Sequence, residues 1–262
     1  MGIDVSIIIL NYNTPELTAA CVQSIVAHTS GIDYEIILVD NGSSPESMAY
    51  FDEHLLFIPQ LTIISEKENH WFGGGNNIGY KNSKGAYLFF LNSDTIFFEN
   101  SLKILYDMYR TKEEFSKVWF LVPKLYLDAT KTKKQLICAK VPTLRDIFIT
   151  YIPWMKYFFS KRYKSLFYHD RDRESDREVG TSGGPAFLCS RKCFEDIGKF
   201  DERFFLYMEE FDMAKRLKKL WYHSFFTTKT SIIHLENQSP KQTYKKRLIS
   251  LASIGKFIRK YM

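Results

Sequence analysis

The stretch YLFFLNSDT, residues 87–95, is a short apolar run that ends abruptly in polar side chains. Five successive apolar or aromatic residues, 87–91, are typical of a strand buried on both faces, as at the centre of a sheet covered by helices. The run then gives way to residues 92–94, so a core strand delivers the carboxylate of Asp94 at its C-terminal end. That carboxylate either caps a following helix, predicted to begin near Ser101, or lies at a ligand-binding edge of the sheet.

Three further strands are expected in the N-terminal half, each followed by a helical segment. With the opening stretch, the predicted strands cover residues 5–10, 35–39, 61–64 and 87–91. Strands separated by helices imply parallel crossovers, and open sheets of this kind bind ligands in the crevice outside the strand carboxyl ends. Asn11, Asp40 and Asp94 follow three of these strands, so we expect all three side chains at that edge.

Composition favours a globular protein. The chain has 262 residues, 45% of them hydrophobic, which is ample for a packed core. It contains no run of about 18 apolar residues that could span a bilayer, and its first residues are unlike a secretory leader, which together favour a cytoplasmic protein. The four cysteines lack CxxC spacing and are expected to be buried thiols instead of a zinc site or a disulfide framework.

Four short motifs occur in order along the chain. They are ILNYN at residues 9–13, VDNGS at 39–43, FGGGNNIG at 72–79 and LNSDT at 91–95. Together they resemble the successive motifs of the family-2 inverting glycosyltransferases with the GT-A fold, and the bacterial rhamnosyltransferase-like group in particular. The resemblance continues to about residue 239 and so covers nearly all of the chain.

The resemblance implies a single α/β domain of the GT-A fold, with a Rossmann-like, mostly parallel central sheet flanked by helices. Residues 1–240 would form this domain, with a nucleotide-binding half over 1–100 and an acceptor and catalytic half over 101–240. Residues 241–262 are predicted to form a basic amphipathic C-terminal helix, because they contain seven Lys or Arg, no Asp or Glu, and an apolar stripe. That stripe either packs on the domain or contacts a membrane.

The resemblance also implies a nucleotide-sugar site at the sheet edge. Its residues would be Asn11, Asn13, Asp40, Asn41, Gly74, Asn77, Asn92, Ser93 and Asp94. Asp40 would accept a hydrogen bond from the imide of the base, which favours a UDP- or dTDP-sugar donor. The glycine run 73–75 would let the backbone pass close to the donor sugar, with Asn77 placing an amide on it. A plain turn is the alternative interpretation of the glycines.

Asn92-Ser93-Asp94 matches the family's metal motif, usually Asp-x-Asp, with Asn in the first position. The substitution removes one anionic ligand, so Asp94 would be the principal anchor of Mg²⁺ or Mn²⁺, which donor phosphates and water would otherwise hold. His234 follows an apolar strand and matches a family histidine that contacts the diphosphate or completes the metal shell. A purely structural histidine is the alternative at this position.

The segment 200–212 resembles the signature GGFDExFFxYxEDxD, whose Glu-Asp pair supplies the catalytic base. This chain has Glu209 and Glu210 at the pair. Adjacent helical residues point about 100° apart, so we expect one of them to reach the acceptor: Glu210 as the base, with Glu209 as the first alternative. Asp212 would orient the site from behind. Acids that merely complement a helix dipole are the alternative interpretation.

The resulting functional hypothesis is an inverting glycosyltransferase. It would move a sugar from its nucleotide donor to a hydroxyl of a glycan or lipid-linked acceptor, in bacterial surface polysaccharide synthesis, with the turn at Gly183 and Gly184 on the acceptor side. The departures from the family motifs leave one alternative from another class, a catalytically inactive sugar-nucleotide or glycan-binding homologue. A dinucleotide-dependent oxidoreductase is not supported, because the chain lacks that fold's glycine fingerprint.

Residues 151–177 interleave aromatic and basic side chains. Aromatic side chains beside a basic groove can stack on bases, but no RNA or DNA module accompanies them, so no nucleic-acid partner is expected. An interfacial segment, or a flap over the acceptor, fits the pattern better. Together with the basic C-terminal helix, it favours an anionic membrane surface as a partner and a peripheral location on the inner face of the cell membrane.

Overall fold

The structure is a computed structural model that describes residues 2–135, 137–152, 154–168, 174–235 and 243–261, with the backbone alone described over 243–247. The predicted domain boundary at residue 240 and the first two residues of the predicted C-terminal helix lie outside these ranges.

In the described part of the chain, nine strands form one central sheet. Its strands are β1 (Val5–Asn11), β2 (Tyr34–Asn41), β3 (Leu61–Glu66), β4 (Tyr87–Asn92), β5 (Thr95–Ile96), β6 (Val118–Tyr126), β8 (Arg177–Val179), β10 (Ala186–Ser190) and β11 (His223–His234). The strand order is β3-β2-β1-β4-β10-β6-β11-β5, with β8 also paired to β11. A separate small sheet joins β7 (Cys138–Ala139) to β9 (Thr181–Ser182).

Ten helices surround these sheets in the described part of the chain. They are α1 (Pro15–His28), α2 (Pro45–His54), α3 (Trp71–Lys81), α4 (Ser101–Glu113), α5 (Leu144–Tyr151), α6 (Met155–Phe158), α7 (Ser160–Leu166), α8 (Arg191–Asp196), α9 (Glu209–Lys219) and α10 (Thr243–Tyr261).

The long strands run mostly parallel, as expected. β3, β2, β1 and β4 pair in parallel, β10 runs opposite to its neighbours β4 and β6, and β11 is again parallel to β6. Asn11 is opposite Asp40 in the register, and Leu10 is opposite Asn92. The carboxyl ends of β1, β2 and β4 therefore meet at one edge of the sheet.

Strand β4 is buried on both faces, which confirms the first sequence prediction. Phe89 and Leu91 pack in the core on one side of the sheet, and Leu88 and Phe90 pack in the core on the other. The helix-cap alternative for Asp94 is wrong. This residue lies in a turn that leads into the two-residue strand β5, and α4 begins later.

The glycine run lies inside α3, so its interpretation as a plain turn is wrong. The helix approaches β1 so closely that a Cβ atom on Gly75 would lie 2.3 Å from Leu10 Cδ1. One turn later, a Cβ atom on Gly79 would lie 2.4 Å from Ile8 Cγ2. Glycine at these two positions permits close packing of the helix on the sheet.

The C-terminal helix α10 packs part of its apolar stripe on the domain. Phe257 is completely buried in a cluster with Phe204 and Met208, and Ile254 packs against that cluster. In the part of the chain that the structure describes, no helix combines the length and the apolar character needed to cross a bilayer.

Candidate active site

A buried polar pair forms the floor of the sheet edge. Asn11 Nδ2 donates to Asp40 Oδ1 at 2.6 Å, and both residues are buried. The second oxygen, Asp40 Oδ2, accepts the backbone N–H of Ser43 at 3.2 Å. Thr18 donates its hydroxyl to Asn11 Oδ1 at 2.8 Å, which fixes the orientation of the amide. The Asp40 carboxylate is therefore held in place by the protein itself.

Asn13 and Asn41 support the loops around this floor. Asn13 is exposed, adopts a left-handed backbone with φ 55°, and accepts the N–H of Ser44 at 2.9 Å. Asn41 is buried; its Oδ1 accepts the N–H of His70 at 2.9 Å, and its Nδ2 donates to the carbonyl of Trp71 at 3.2 Å. Asn41 thus fixes the start of α3.

Gly74 and Asn77 both lie on α3 and are buried. The Asn77 amide bridges to the segment that leads toward the acidic cluster: Nδ2 donates to the Phe200 carbonyl at 3.0 Å and to Glu202 Oε1 at 2.8 Å. Its Oδ1 accepts the N–H of Phe200 at 3.2 Å. The amide predicted to contact the donor sugar is therefore engaged within the protein in this structure.

The predicted metal motif lies beside the predicted histidine. His234 Nε2 is 3.1 Å from Asp94 Oδ1 and 3.4 Å from Asn92 Nδ2. The side chains of His234 and Asp94 are 6% and 14% exposed, so the pair is sheltered yet reachable. Ser93 and Asp94 form the turn after β4, and this turn brings the side chains of both Asn92 and Asp94 to the His234 imidazole.

Asp94 and His234 fit a divalent cation that takes its remaining ligands from a bound substrate and from water. No cluster of three or more His, Cys, Asp or Glu side chains suited to a metal occurs among the described residues. Mg²⁺ is usually bound by one or two carboxylates together with substrate phosphates and water. Asp94 and His234 supply two adjacent ligand atoms at the sheet edge, and Gln135 Oε1 lies 2.8 Å from His234 Nδ1, a position that orients the ring.

The acidic cluster lies at the N-terminus of α9, after an unusual backbone turn. Tyr207 and Met208 have φ values of 69° and 77°, a left-handed conformation that costs about 1–3 kcal/mol for each residue other than glycine. This turn directs the chain into α9 at Glu209. The helix therefore begins with two consecutive glutamates at the positive end of its dipole.

The two glutamates differ in their surroundings. Glu209 is buried, and its Oε1 has no hydrogen-bond partner among the described residues. Glu210 is partly buried, and its Oε1 accepts the backbone N–H of Gly184 at 3.0 Å. A Cβ atom on Gly184 would lie 2.9 Å from that same oxygen and 3.0 Å from Phe72 Cζ, so only glycine fits there without displacement.

Burial raises the pKa of both glutamates, and the effect is stronger on Glu209. It raises the pKa of Glu209 well above its usual value, and the neighbouring charges of Glu210 and Asp212 add to the effect. Burial also raises the pKa of Glu210, while its own backbone N–H and that of Gly184 oppose the shift. A proton taken up by this pair is therefore favoured on Glu209 over Glu210.

The turn that leads into β10 joins the acidic cluster to the predicted metal motif. Gly184 bonds to Glu210, and the carbonyl of the next residue, Pro185, accepts the N–H of Asn92 at 2.8 Å. Gly183 donates its N–H to the Ile137 carbonyl at 2.6 Å and so anchors the turn. Carboxylates from two distant segments of the sequence thereby lie at one edge of the sheet.

The family of the chain follows from its match to known proteins. Residues 6–198 match the family described as Glycosyl transferase family 2. The chain belongs to this family. The match spans most of the chain and contains the polar floor, the metal motif and the Gly183-Gly184 turn, while the glutamate pair lies beyond its end.

Individual relatives agree with this assignment, and a solved structure shares the fold. The hexosyltransferase Agl10 of low-salt glycan biosynthesis in Haloferax volcanii is 25% identical over 82% of this chain and 62% of its own length. An N-acetylglucosaminyl-diphospho-decaprenol L-rhamnosyltransferase of Mycobacterium tuberculosis is 37% identical over 25% of this chain and 21% of its own length. The mannosyltransferase PcManGT from Pyrobaculum calidifontis, solved with GDP-Man and Mn²⁺, superposes with a TM-score of 0.64 at 16% identity.

The fold of this family-2 chain is the GT-A fold that the sequence predicted. The superposition with PcManGT covers 99% of this chain and 65% of that protein. The chain thus spans less than the full length of each of these three proteins, at 62%, 21% and 65%.

Asp212 lies behind the glutamate pair and is completely buried. Its Oδ2 accepts a hydrogen bond from Arg216 Nε at 2.9 Å. Its Oδ1 accepts from Lys260 Nζ at 2.5 Å and from the Tyr261 hydroxyl at 2.7 Å, both on α10. This position suits the supporting role expected from the family signature.

Sequence reasoning missed two residues near the site. Gln135, which orients His234, lies in the hairpin after β6 and carries no motif that could have identified it. Tyr151 ends α5, and its pKa is raised by burial and by the nearby charges of Glu210 and Glu209. Tyr151 belongs to the aromatic and basic segment, but its sequence neighbours do not distinguish it from the other aromatic residues.

Proposed function

We propose that this protein is an inverting glycosyltransferase that moves a sugar from a UDP- or dTDP-sugar to a hydroxyl of a glycan or lipid-linked acceptor. One observation carries the proposal. Glu210, the candidate base, accepts the N–H of Gly184 in the turn just before β10, and the neighbouring strand β4 leads to the Asp94–His234 pair. The proposed base and the proposed diphosphate site would thus share one edge of the sheet.

The donor is proposed to bind over the polar floor. Asp40 has its carboxylate oriented by Asn11 and Ser43, which prepares it to accept the imide N–H of uracil or thymine. Asn11 and Asn13 line the same corner, and Asn41 keeps the start of α3 in place. The buried Gly74 lies on α3, and Asn77 connects that helix to residues 200–202.

The diphosphate is proposed to lie beside residues 92–94. When bound there, Mg²⁺ or Mn²⁺ would be held by Asp94 and His234 and would supply positive charge to the leaving diphosphate. Asn92 and Ser93 would complete the polar surface of this turn with neutral donors and acceptors.

The chemical step is a single displacement. Glu210 removes the proton of an acceptor hydroxyl while that oxygen attacks the anomeric carbon from the face opposite the nucleotide, so the anomeric configuration inverts. Glu209 is proposed to hold a proton and thereby to keep a second negative charge away from Glu210. The Gly183-Gly184 turn would border the acceptor, because Gly184 touches the base directly.

A bacterial surface polysaccharide pathway is the proposed setting. A lipid-linked acceptor would be met at the inner face of the cell membrane, which is the location we propose for the protein. Support comes from the glycan-building relatives named above, one of which acts on a diphospho-decaprenol lipid according to its name.

Isothermal titration of the purified protein tests the donor site. UDP, dTDP and GDP are titrated with and without Mn²⁺ into wild type, into Asp94→Ala, and into Asp107→Ala, an exposed acid on α4 that serves as the control. We expect binding of UDP or dTDP that requires metal, is lost in Asp94→Ala and is retained in Asp107→Ala. Absence of nucleotide binding in wild type would contradict the assignment of the donor site.

Transfer of sugar to an acceptor distinguishes an enzyme from a binding homologue. With the nucleotide found by titration, a panel of its sugars is supplied together with lipid-diphosphate and oligosaccharide acceptors. Product formation with inverted anomeric configuration is the expected result. Tight donor binding without any turnover would instead support the catalytically inactive homologue.

A further inference from the structure

Three large aromatic side chains project into solvent at one end of the helical hairpin α5–α7. Trp154, Tyr157 and Phe158 are 60%, 73% and 78% exposed. Trp154 and Phe158 also contact each other, with ring centroids 6.0 Å apart. Together these three residues form an exposed apolar patch, and such patches on soluble domains mark surfaces that bind a partner or a membrane.

The segment that carries this patch is basic, and Lys156 Nζ lies 5.3 Å from the centroid of the Tyr157 ring. Residues 144–168 contain five Lys or Arg and a single acid, Asp146, which is paired with Arg162. The remaining cations are Arg145, Lys156, Lys161 and Lys164, and none of them forms an ion pair with a carboxylate among the described residues. We call the three aromatic residues and these four cations the aromatic-basic face.

The aromatic-basic face is connected to the candidate active site through α5. Ile147 on this helix packs in one buried cluster with Met208, the residue immediately before the glutamate pair. Tyr151, at the end of the same helix, packs against that cluster and lies near Glu210 and Glu209. Trp154 follows Tyr151 by three residues, so the aromatic-basic face begins close in sequence to a side chain that lies near the glutamate pair.

The C-terminal helix α10 exposes less apolar surface that could contact a partner or a membrane. Phe257, Ile254 and Tyr261 of its stripe pack on the domain, while Leu248 and Leu251 remain exposed. Aliphatic side chains at two positions supply less interfacial area than three aromatic rings, and Trp and Tyr are the residues enriched where a protein meets lipid headgroups.

We propose that the aromatic-basic face binds the surface of an anionic lipid bilayer and so presents the candidate active site to a lipid-linked acceptor. Aromatic rings would enter the headgroup boundary, and the four cations would contact anionic headgroups around them. The proposal rests on the proposed function for the nature of the acceptor, while the binding to lipid can be measured independently of catalysis.

Co-sedimentation of the full chain with vesicles tests the proposal. Wild type is mixed with vesicles of phosphatidylcholine alone and with vesicles that also contain phosphatidylglycerol. We expect binding to the second kind, weakened by added salt because the headgroup attraction is screened. Equal binding to both kinds of vesicle, or binding to neither, would overturn the proposal.

Matched variants locate the contact. Trp154→Ser/Tyr157→Ser/Phe158→Ser is expected to reduce binding to the anionic vesicles by at least about tenfold. The control is Phe57→Ser/Phe115→Ser/Trp221→Ser, which removes three aromatic side chains that are 91%, 84% and 80% exposed elsewhere on the surface. Undiminished vesicle binding by the first variant, or equal losses in both, would overturn the assignment.

A charge variant tests the basic rim with the aromatic side chains intact. Lys161→Glu/Lys164→Glu is expected to weaken binding to anionic vesicles and to leave nucleotide binding unchanged. Other occupants of the face give different outcomes: concentration-dependent dimers abolished by the triple variant would indicate a second copy, and binding of a single-stranded RNA in place of vesicles would indicate nucleic acid. Either of these results would contradict the proposal, while a failure of sugar transfer alone would leave the lipid binding to stand.

Discussion

At the residue scale, two adjacent glutamates at the start of α9 are proposed to have different roles, Glu210 as the base and Glu209 as a protonated neighbour. Glu209 is buried without a partner for one oxygen among the described residues, whereas Glu210 is partly buried and receives an N–H from Gly184. The same side-chain chemistry therefore has two electrostatic environments one residue apart. This difference could not be read from the sequence, because it depends on a glycine 26 positions away along the chain.

Gly184→Ala is expected to impair sugar transfer while leaving nucleotide binding intact. The added Cβ would lie 2.9 Å from Glu210 Oε1 and 3.0 Å from Phe72 Cζ, so the carboxylate must move. Gly255→Ala on α10 is the matched control, because no atom lies within 4 Å of its added Cβ and the residue lies outside the proposed site. Steady-state transfer rates and nucleotide titration for both variants provide the test; equal transfer rates would show that the Gly184 contact does not position the base.

Glu209→Gln is expected to stabilise the protein increasingly as the pH rises above about 4.3, the usual value for Glu. The pKa of Glu209 is raised in the folded state, so the unfolded chain releases this proton at a lower pH than the folded protein does. The free energy of unfolding of wild type therefore falls as the pH rises from the unfolded pKa to the folded pKa. Glutamine has no such proton to lose. Urea unfolding between acidic and neutral pH measures the difference.

The exposed Glu53→Gln on α2 serves as the control for this substitution. Surface changes of this kind usually alter the free energy of unfolding by less than about 0.5 kcal/mol. A difference in the free energy of unfolding between Glu209→Gln and wild type that stays constant with pH would contradict a raised pKa for this buried carboxyl group.

At the element scale, the strands were easier to predict than the helix between them. Strand β4 was evident from five consecutive apolar residues, and its polar end followed from where parallel strands stop. Helix α3 was not evident over residues 73–75, because glycine has low helix propensity and normally indicates a turn. Only the distance between α3 and β1 explains why glycine is present, and that distance is a property of the packed structure.

Gly79→Ala is expected to destabilise the protein even though alanine is the better helix former. The new Cβ would lie 2.4 Å from Ile8 Cγ2 and 3.3 Å from Val39 Cγ2, and overpacking of this kind costs about 1–3 kcal/mol. Gly255→Ala on α10 is the control, because no atom lies within 4 Å of its Cβ. That control should gain up to about 1 kcal/mol from helix propensity. Thermal unfolding of both variants checks the pair, and the same sign of change in each would contradict the packing argument.

At the scale of the whole molecule, the C-terminal helix α10 is bonded to α9, the helix that carries the proposed base. Lys260 and Tyr261 reach Asp212 across 48 and 49 residues. The family signature indicated that Asp212 would support the site, but neither partner could be identified from sequence, since a basic helix resembles a solvated or membrane-bound segment. The structure shows that the end of α10 closes over the back of the acidic cluster.

Lys260→Met is expected to lower the free energy of unfolding by about 1.5–3 kcal/mol, the range for hydrogen bonds to charged groups. Lys260 Nζ bonds to the completely buried Asp212 and, at 2.7 Å, to Asp201, whose pKa is lowered by Arg203 and also by Lys260. Lys192→Met is the control, because its ion pair with Asp196 is exposed and should be worth less than about 1 kcal/mol. Urea unfolding measures the free energy of unfolding of both variants. Equal small losses would show that Lys260 on α10 does not stabilise the packing of α10 on α9.

A comparison of Glu210→Gln with Glu209→Gln tests whether Glu210 removes the acceptor proton. Sugar transfer and nucleotide binding are measured for both variants alongside wild type. We expect Glu210→Gln to lose sugar transfer by about 10²–10⁴-fold while binding nucleotide normally, and Glu209→Gln to retain transfer within about tenfold. Retained transfer in Glu210→Gln together with loss in Glu209→Gln would contradict the assignment and place the base on the buried carboxylate.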